Sequence, residues 1–218
     1  VYQEKKQFDL SIKAFQKCIE IMPDYAEAHL NLGLCYLLIG DYENGWREYE
    51  WRRKLLKESN DKLSKEWSGQ NLENKTLLVL DEGADGNLIH FIRFIKELKK
   101  ESCKVIVQCS EEAKTLIDNQ KWVDKTIAAD EFPEHDFYIP IGSLMNVLKY
   151  NPNHHEQTFP YIEVHSDKMS KNNADQVNIG LVFETDRNSN AHDDESIDPG
   201  LFENIFNEEH NVICLDKY

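Results

Sequence analysis

The sequence predicts an α/β protein with an all-α front end: helical hairpins, then a parallel-sheet domain, then the start of a second α/β domain. Three observations predict it. Shifting the chain by 34 residues places Tyr2 on Tyr36, Phe8 on Tyr42, Asp9 on Glu43 and Phe15 on Tyr49. A period of that length marks stacked helical hairpins. From Thr76 onward, short apolar runs alternate with amphipathic ones, the pattern of strands joined by crossover helices. Between the first run and its helix lies a glycine-bearing loop, Asp81 to Asn87.

In order along the chain, Pro23 ends one helix and sets up the turn into the next. The full repeat begins at Ala26, with Leu32, Gly33 and Tyr36 in its first helix and Gly45 and Tyr49 in its second. Gly33 lets the two helices approach closely, and Gly40-Asp41 separates them. Trp46 and Trp51 are five residues apart, so they do not share one stripe, and at least one is expected to pack on the following domain. The charged segment Glu50 to Glu66 reads as a helix continuing into a linker. Thr76 to Leu80 reads as a buried strand, and Leu88 to Lys100 as a helix with Ile89, Ile92, Phe94, Ile95 and Leu98 inward. Lys104 to Cys109 is the next strand, and Ser110 caps a helix with Glu111 and Glu112 in its first turn. Val123 to Ala128, Phe137 to Ile141 and Asn211 to Leu215 read as further strands. The boundaries that follow are 1–66 for the helical arm and linker, 67–165 for the first α/β domain and 166–218 for the partial second one.

Composition narrows the function. Forty acidic residues against 25 basic ones give a net charge of −15, which repels phosphate backbones and anionic membranes. Five scattered cysteines without a C-x-x-C pair point to a reducing cytoplasm, not to a disulfide framework or zinc site. No apolar run approaches a membrane span. The opening Val-Tyr-Gln-Glu-Lys-Lys carries no signal peptide and reads as the inside of a polar helix, as if cut from a longer protein. Asp85-Gly86-Asn87 hints at a calcium loop but lacks the closing glutamate, and no metal or cofactor is expected. His154-His155 sits in a turn-rich stretch and reads as surface.

The helical part resembles the tetratricopeptide repeat. That resemblance implies a concave groove for a protein or peptide, with Asn31 placed to bond its backbone. Taken whole, the chain resembles a bacterial architecture of such repeats fused to a GT-B, heptosyltransferase-like glycosyltransferase domain, Rossmann-like in its N-terminal half. Trp67, Gly69, Leu72 and Lys75 to Leu78 follow the family's run before the first strand, with Asn74 in place of a glycine. Glu82-Gly83-Ala84-Asp85-Gly86-Asn87 and Arg93 follow its loop and helix. Phe132 to Asp136, Ser143-Leu144, Phe159 to Ile162 and Ile179 to Phe183 echo later motifs in order. The resemblance implies an acceptor side lined by Glu82, Gly86 and Arg93, with a catalytic base at the position of Asn87.

The departures fall on the chemistry. An amide at Asn87 cannot take the acceptor's proton, and Asp85 is the nearest carboxylate that could. Where the family places a cation near the donor phosphates, Asp193, Asp194 and Glu195 stand instead. The stretch Glu184 to Glu209 holds nine acidic residues and one arginine. Much of the donor half is absent. The sequence therefore reads as a degenerate or truncated glycosyltransferase-like protein without catalysis of its own. The alternative is a non-catalytic interaction module. A nucleotide sugar would enter only in a longer form, and the half-repeat and unfinished sheet could also pair with a second copy.

Overall fold

The computed structural model describes residues 7–56, 63–83, 85–98, 102–154, 161–162, 177–181 and 210–214, with Asp85 and the last two strands described by backbone alone. Contacts divide the chain into two units, residues 1–165 and 166–218.

The first unit opens with α1 (Phe8–Ile21), α2 (Ala26–Ile39) and α3 (Tyr42–Tyr49). Gly40 sits at φ +87, and the N–H groups of Gly40 and Asp41 donate to Leu37 O and Tyr36 O. This left-handed closure satisfies the last carbonyls of α2. Asp41 then caps α3 by accepting from Asn44 N at 3.2 Å. Helices α2 and α3 meet at Gly33, where a Cβ would stand 2.8 Å from Tyr49 N and 3.0 Å from Gly45 O. His29, at the start of the same interface, stacks on Trp51 with ring centroids 3.7 Å apart.

Of the segment Glu50 to Glu66, expected as a helix continuing into a linker, residues 57–62 lie outside the described residues. A 3-10 turn covers Glu50–Lys54, and Lys65–Glu66 is a two-residue strand, β1. Periodicity missed it because two residues carry no pattern. The remaining strands are β2 (Thr76–Leu80), β3 (Lys104–Gln108), β4 (Lys125–Ile127) and β5 (Phe137–Pro140). They form one all-parallel sheet in the order β1-β5-β2-β3-β4. In β2, Leu77 to Val79 are fully buried, as expected of a strand covered on both faces. Helices α4 (Asp85–Phe91) and α5 (Ile95–Leu98) lie between β2 and β3, α6 (Glu111–Ile117) lies between β3 and β4, and α7 (Leu144–Val147) follows β5. The larger core joins Leu77, Val79, Val105 and Ile139 to Leu88, Ile92 and Leu144. A smaller cluster of Leu78, Leu80, Ile106 and Ile127 lies on the other side of the sheet. Asn74, where the resembled family has glycine, adopts φ +57, a left-handed conformation that asparagine tolerates.

The helix expected from Leu88 begins three residues earlier, at Asp85, and a 3-10 turn at Ile92–Phe94 interrupts it. In the second unit, β6 (Val177–Leu181) pairs in parallel with β7 (His210–Cys214). Asp193, Asp194, Glu195, His155 and Phe159-Pro160 lie outside the described residues.

Candidate functional site

The order of the sheet creates one topological switch. From β2 the chain steps to β3 and β4, then returns across β2 to β5. The loops leaving β2 and β5 therefore lie side by side, and the crevice between them begins beyond Leu80 and Pro140, which are paired at the ends of those strands. Open α/β sheets bind ligands in such crevices.

Here the crevice holds the side chain of Arg52, which comes from the turn that follows α3. Arg52 is buried, at 7% exposure. Its Nε donates to Glu82 Oε1 at 2.9 Å, and its Nη2 donates to Glu82 Oε2 at 3.1 Å. Nη2 also donates to Ser143 Oγ at 3.0 Å. Nη1 donates to Glu50 Oε1 at 3.1 Å and to Tyr49 O at 3.3 Å. A guanidinium has five N–H groups, and each has an acceptor here. Glu82 accepts a further bond from Gly142 N at 2.7 Å, and Ser143 Oγ donates to Glu50 Oε2 at 2.8 Å. A Cβ on Gly142 would press on Glu82 Oε2 and stand 2.7 Å from Arg52 Nη2.

The cluster continues outward. Arg53 makes a two-pronged bond to Glu66 at 2.7 and 3.0 Å, tying the turn to β1. Trp46 on α3 donates from Nε1 to Tyr150 O at 2.9 Å and meets Phe91 edge-on. This is the expected tryptophan docked on the α/β part. Burial holds the Tyr49 phenol above its ordinary range, opposed by the nearby Arg52 guanidinium.

The other residues marked in the sequence do not converge on Arg52. Glu82 is in the crevice, but as the partner of Arg52. Gly86 and Asn87 are exposed in the first turn of α4, and the Asp85 side chain lies outside what is described. Arg93 lies 4.8 Å from the Phe94 ring centroid and 5.7 Å from that of Tyr161. Its Nη2 is 3.4 Å from His90 Nε2. Partial burial, then the Arg93 guanidinium, hold the His90 imidazole below its ordinary value. Asn31 donates from Nδ2 to Glu27 O at 2.7 Å, one turn back in its own helix. Among the described residues no group of three or more His, Cys, Asp or Glu is placed to hold a metal ion. No helix among them is long and apolar enough to cross a membrane.

Sequence reasoning missed Arg52, Glu50 and Ser143. The only available signal was an Arg-Arg pair in a charged segment; its partners lie 30 and 91 residues away.

Residues 1–40 match the TPR repeat family. No curated protein and no solved structure matches the chain. The chain thus joins an N-terminal helical part of TPR type to a five-stranded parallel sheet with helices. TPR repeats in general serve protein–protein interaction, and that is the functional class the match supports.

Proposed function

We propose that this chain is a protein-interaction module, in which the helical repeats engage a protein or peptide and the α/β part is a non-catalytic scaffold. The observation that carries the reading is Arg52. A side chain from the helical part fills the crevice where an α/β sheet of this order would take a ligand, and all five of its donors are used. A nucleotide sugar entering there would have to break a buried, charge-assisted network, at a cost of several kcal/mol. The 67–165 and 166–218 parts then resemble the GT-B architecture in descent, not in activity. The repeat surface is the exposed side of α2, including Glu27 and Leu38, with Asn31 half-buried beside them.

Calorimetric titration with UDP-, GDP- and ADP-sugars, with and without divalent metal, tests the scaffold half of the proposal. No heat is expected, and saturable micromolar binding overturns it. Screening a peptide array tests the other half: selected peptides should lose binding on Leu38→Glu and keep it on Asn87→Ala. A second reading draws on the order of the sequence motifs. In it a longer form transfers a sugar, Glu82, Gly86 and Arg93 line the acceptor side, and Asp85 replaces Asn87 as base. Nucleotide-sugar binding that fails on Asp85→Asn would favour it.

A further inference from the structure

A second cleft lies where α3 meets α7, outside the Arg52 crevice. It encloses about 460 Å³, within the size range of small-ligand sites, and such sites favour the junction of two modules. Trp46, Arg47 and Glu43 line one wall, and Asn146, Lys149 and Tyr150 line the other. His154 also lines it.

Lys149 is the telling residue. Its φ is +50, a left-handed conformation in which glycine is the ordinary choice. Lys149 N donates to Asn146 O and Tyr150 N to Met145 O, the closing bonds of a helix end whose left-handed position usually falls to glycine. A lysine is thus held in the disfavoured conformation and lines the cleft. Backbone strain of this kind gathers at ligand clamps. No ion pair of Lys149 is found among the described residues. Opposite it, Arg47 donates to Asn44 Oδ1 at 2.6 Å and keeps only a 3.9 Å contact with Glu48, with 63% of its side chain exposed. Two cations facing one cleft stand out in a chain of net charge −15. Glu43 on the same wall opposes a second negative charge, so the fitting ligand carries one. The aromatic lining, Tyr42 and Trp46 among it, suits an apolar group beside that charge.

We propose that the α3–α7 cleft binds the carboxyl terminus of a peptide, with the carboxylate between Lys149 and Arg47 and an apolar last side chain against Trp46. This rests on the cleft alone and stands whether or not the repeat groove binds anything. The test is titration of the full chain with N-acetyl-glycyl-phenylalanine, its C-terminal amide and phenylacetate, read at the Trp46 indole N–H by ¹⁵N NMR. The free peptide acid should shift that signal saturably, and the amide and phenylacetate should bind at least tenfold more weakly. Lys149→Gly should weaken the free acid at least tenfold while leaving the melting temperature equal or higher, since glycine suits the backbone. No shift with the free acid overturns the proposal, as does equal binding of the amide or phenylacetate. So does undiminished binding by Lys149→Gly or by the helix-surface variant Arg47→Gln.

Discussion

Replacing Arg52 with methionine should unfasten the helical arm from the sheet. Methionine keeps most of the buried stem, so little cavity is created, and the loss is chiefly electrostatic. Glu82, whose side chain is only 8% exposed, would be left without its cation. Removing one partner of a buried, hydrogen-bonded pair costs about 3–5 kcal/mol. Glu50 adds little, because it is 22% exposed and retains Arg53 at 3.9 Å. Glu82→Gln sharpens the test. Alone, it removes a charge-assisted acceptor from Arg52 and should cost about 1–3 kcal/mol. On the Arg52→Met background the same change removes a stranded charge and keeps an oxygen for Gly142 N–H, so it should restore about 1–3 kcal/mol. Urea unfolding, followed by tryptophan fluorescence and far-UV circular dichroism, measures all four corners of the cycle. Hydrogen exchange in Arg52→Met should show α2 and α3 opening before β2 and β3. A cost below about 1 kcal/mol for Arg52→Met, or a Glu82→Gln effect of the same sign in both backgrounds, would refute the reasoning.

Gly33→Ala places a Cβ 2.8 Å from backbone at Tyr49 and should cost about 1–3 kcal/mol in thermal unfolding. Gly45→Ala, which also presses on the movable end of Leu37, should cost less. His90 should titrate below 6.5 by NMR, and Arg93→Gln should raise its midpoint without reaching 6.5, because burial is the larger cause. Its folded state favours the neutral ring, so its contribution weakens as pH falls below 6.5, and His90→Gln should flatten that part of the stability profile. Asp136 is held low by the Thr76 N–H and by Lys75. Its contribution is present above its unfolded value near 3.8 and is lost as pH falls through the lower folded value, a slope Asp136→Asn should remove in acid unfolding.

What was legible in the sequence was whatever a local pattern encodes. The 34-residue self-match, Gly33 at a helix crossing, Gly40 at a helix end, Ser110 as a cap and the apolar run Thr76–Leu80 each act on near neighbours, and each stands where the pattern placed it. β1 was not legible, because its two residues are set by pairing with Phe137 and Tyr138. The start of α4 at Asp85 was misplaced for a similar reason: glycine in Asp-Gly-Asn suggests a loop, and packing of Leu88 and Phe91 in the core overrides it. The crevice was least legible of all. Glu82 was marked as lining an acceptor site, and nothing local to Arg52 shows that a partner 30 residues on will meet it.

The position of Arg52 also explains how the helical arm is fastened to the sheet. Helical hairpins of this type gain their order from the neighbours they bury against. The switch point supplies a ready socket: beyond the paired ends of β2 and β5, the gap between their loops is lined by the carboxylate of Glu82, which accepts from Gly142 N–H. A buried carboxylate in that gap needs a cation, and a free ligand would meet the need only while bound. A cation tethered to α3 meets it permanently and brings the arm with it. Trp46 then docks on Tyr150 and Phe91, and Arg53 on Glu66, so with Arg52 three side chains fix the arm. The same bonds that hold the repeats in place consume the groups a ligand would need. In this chain, stability of the arm and availability of the crevice are therefore opposed, and any change that frees one should weaken the other.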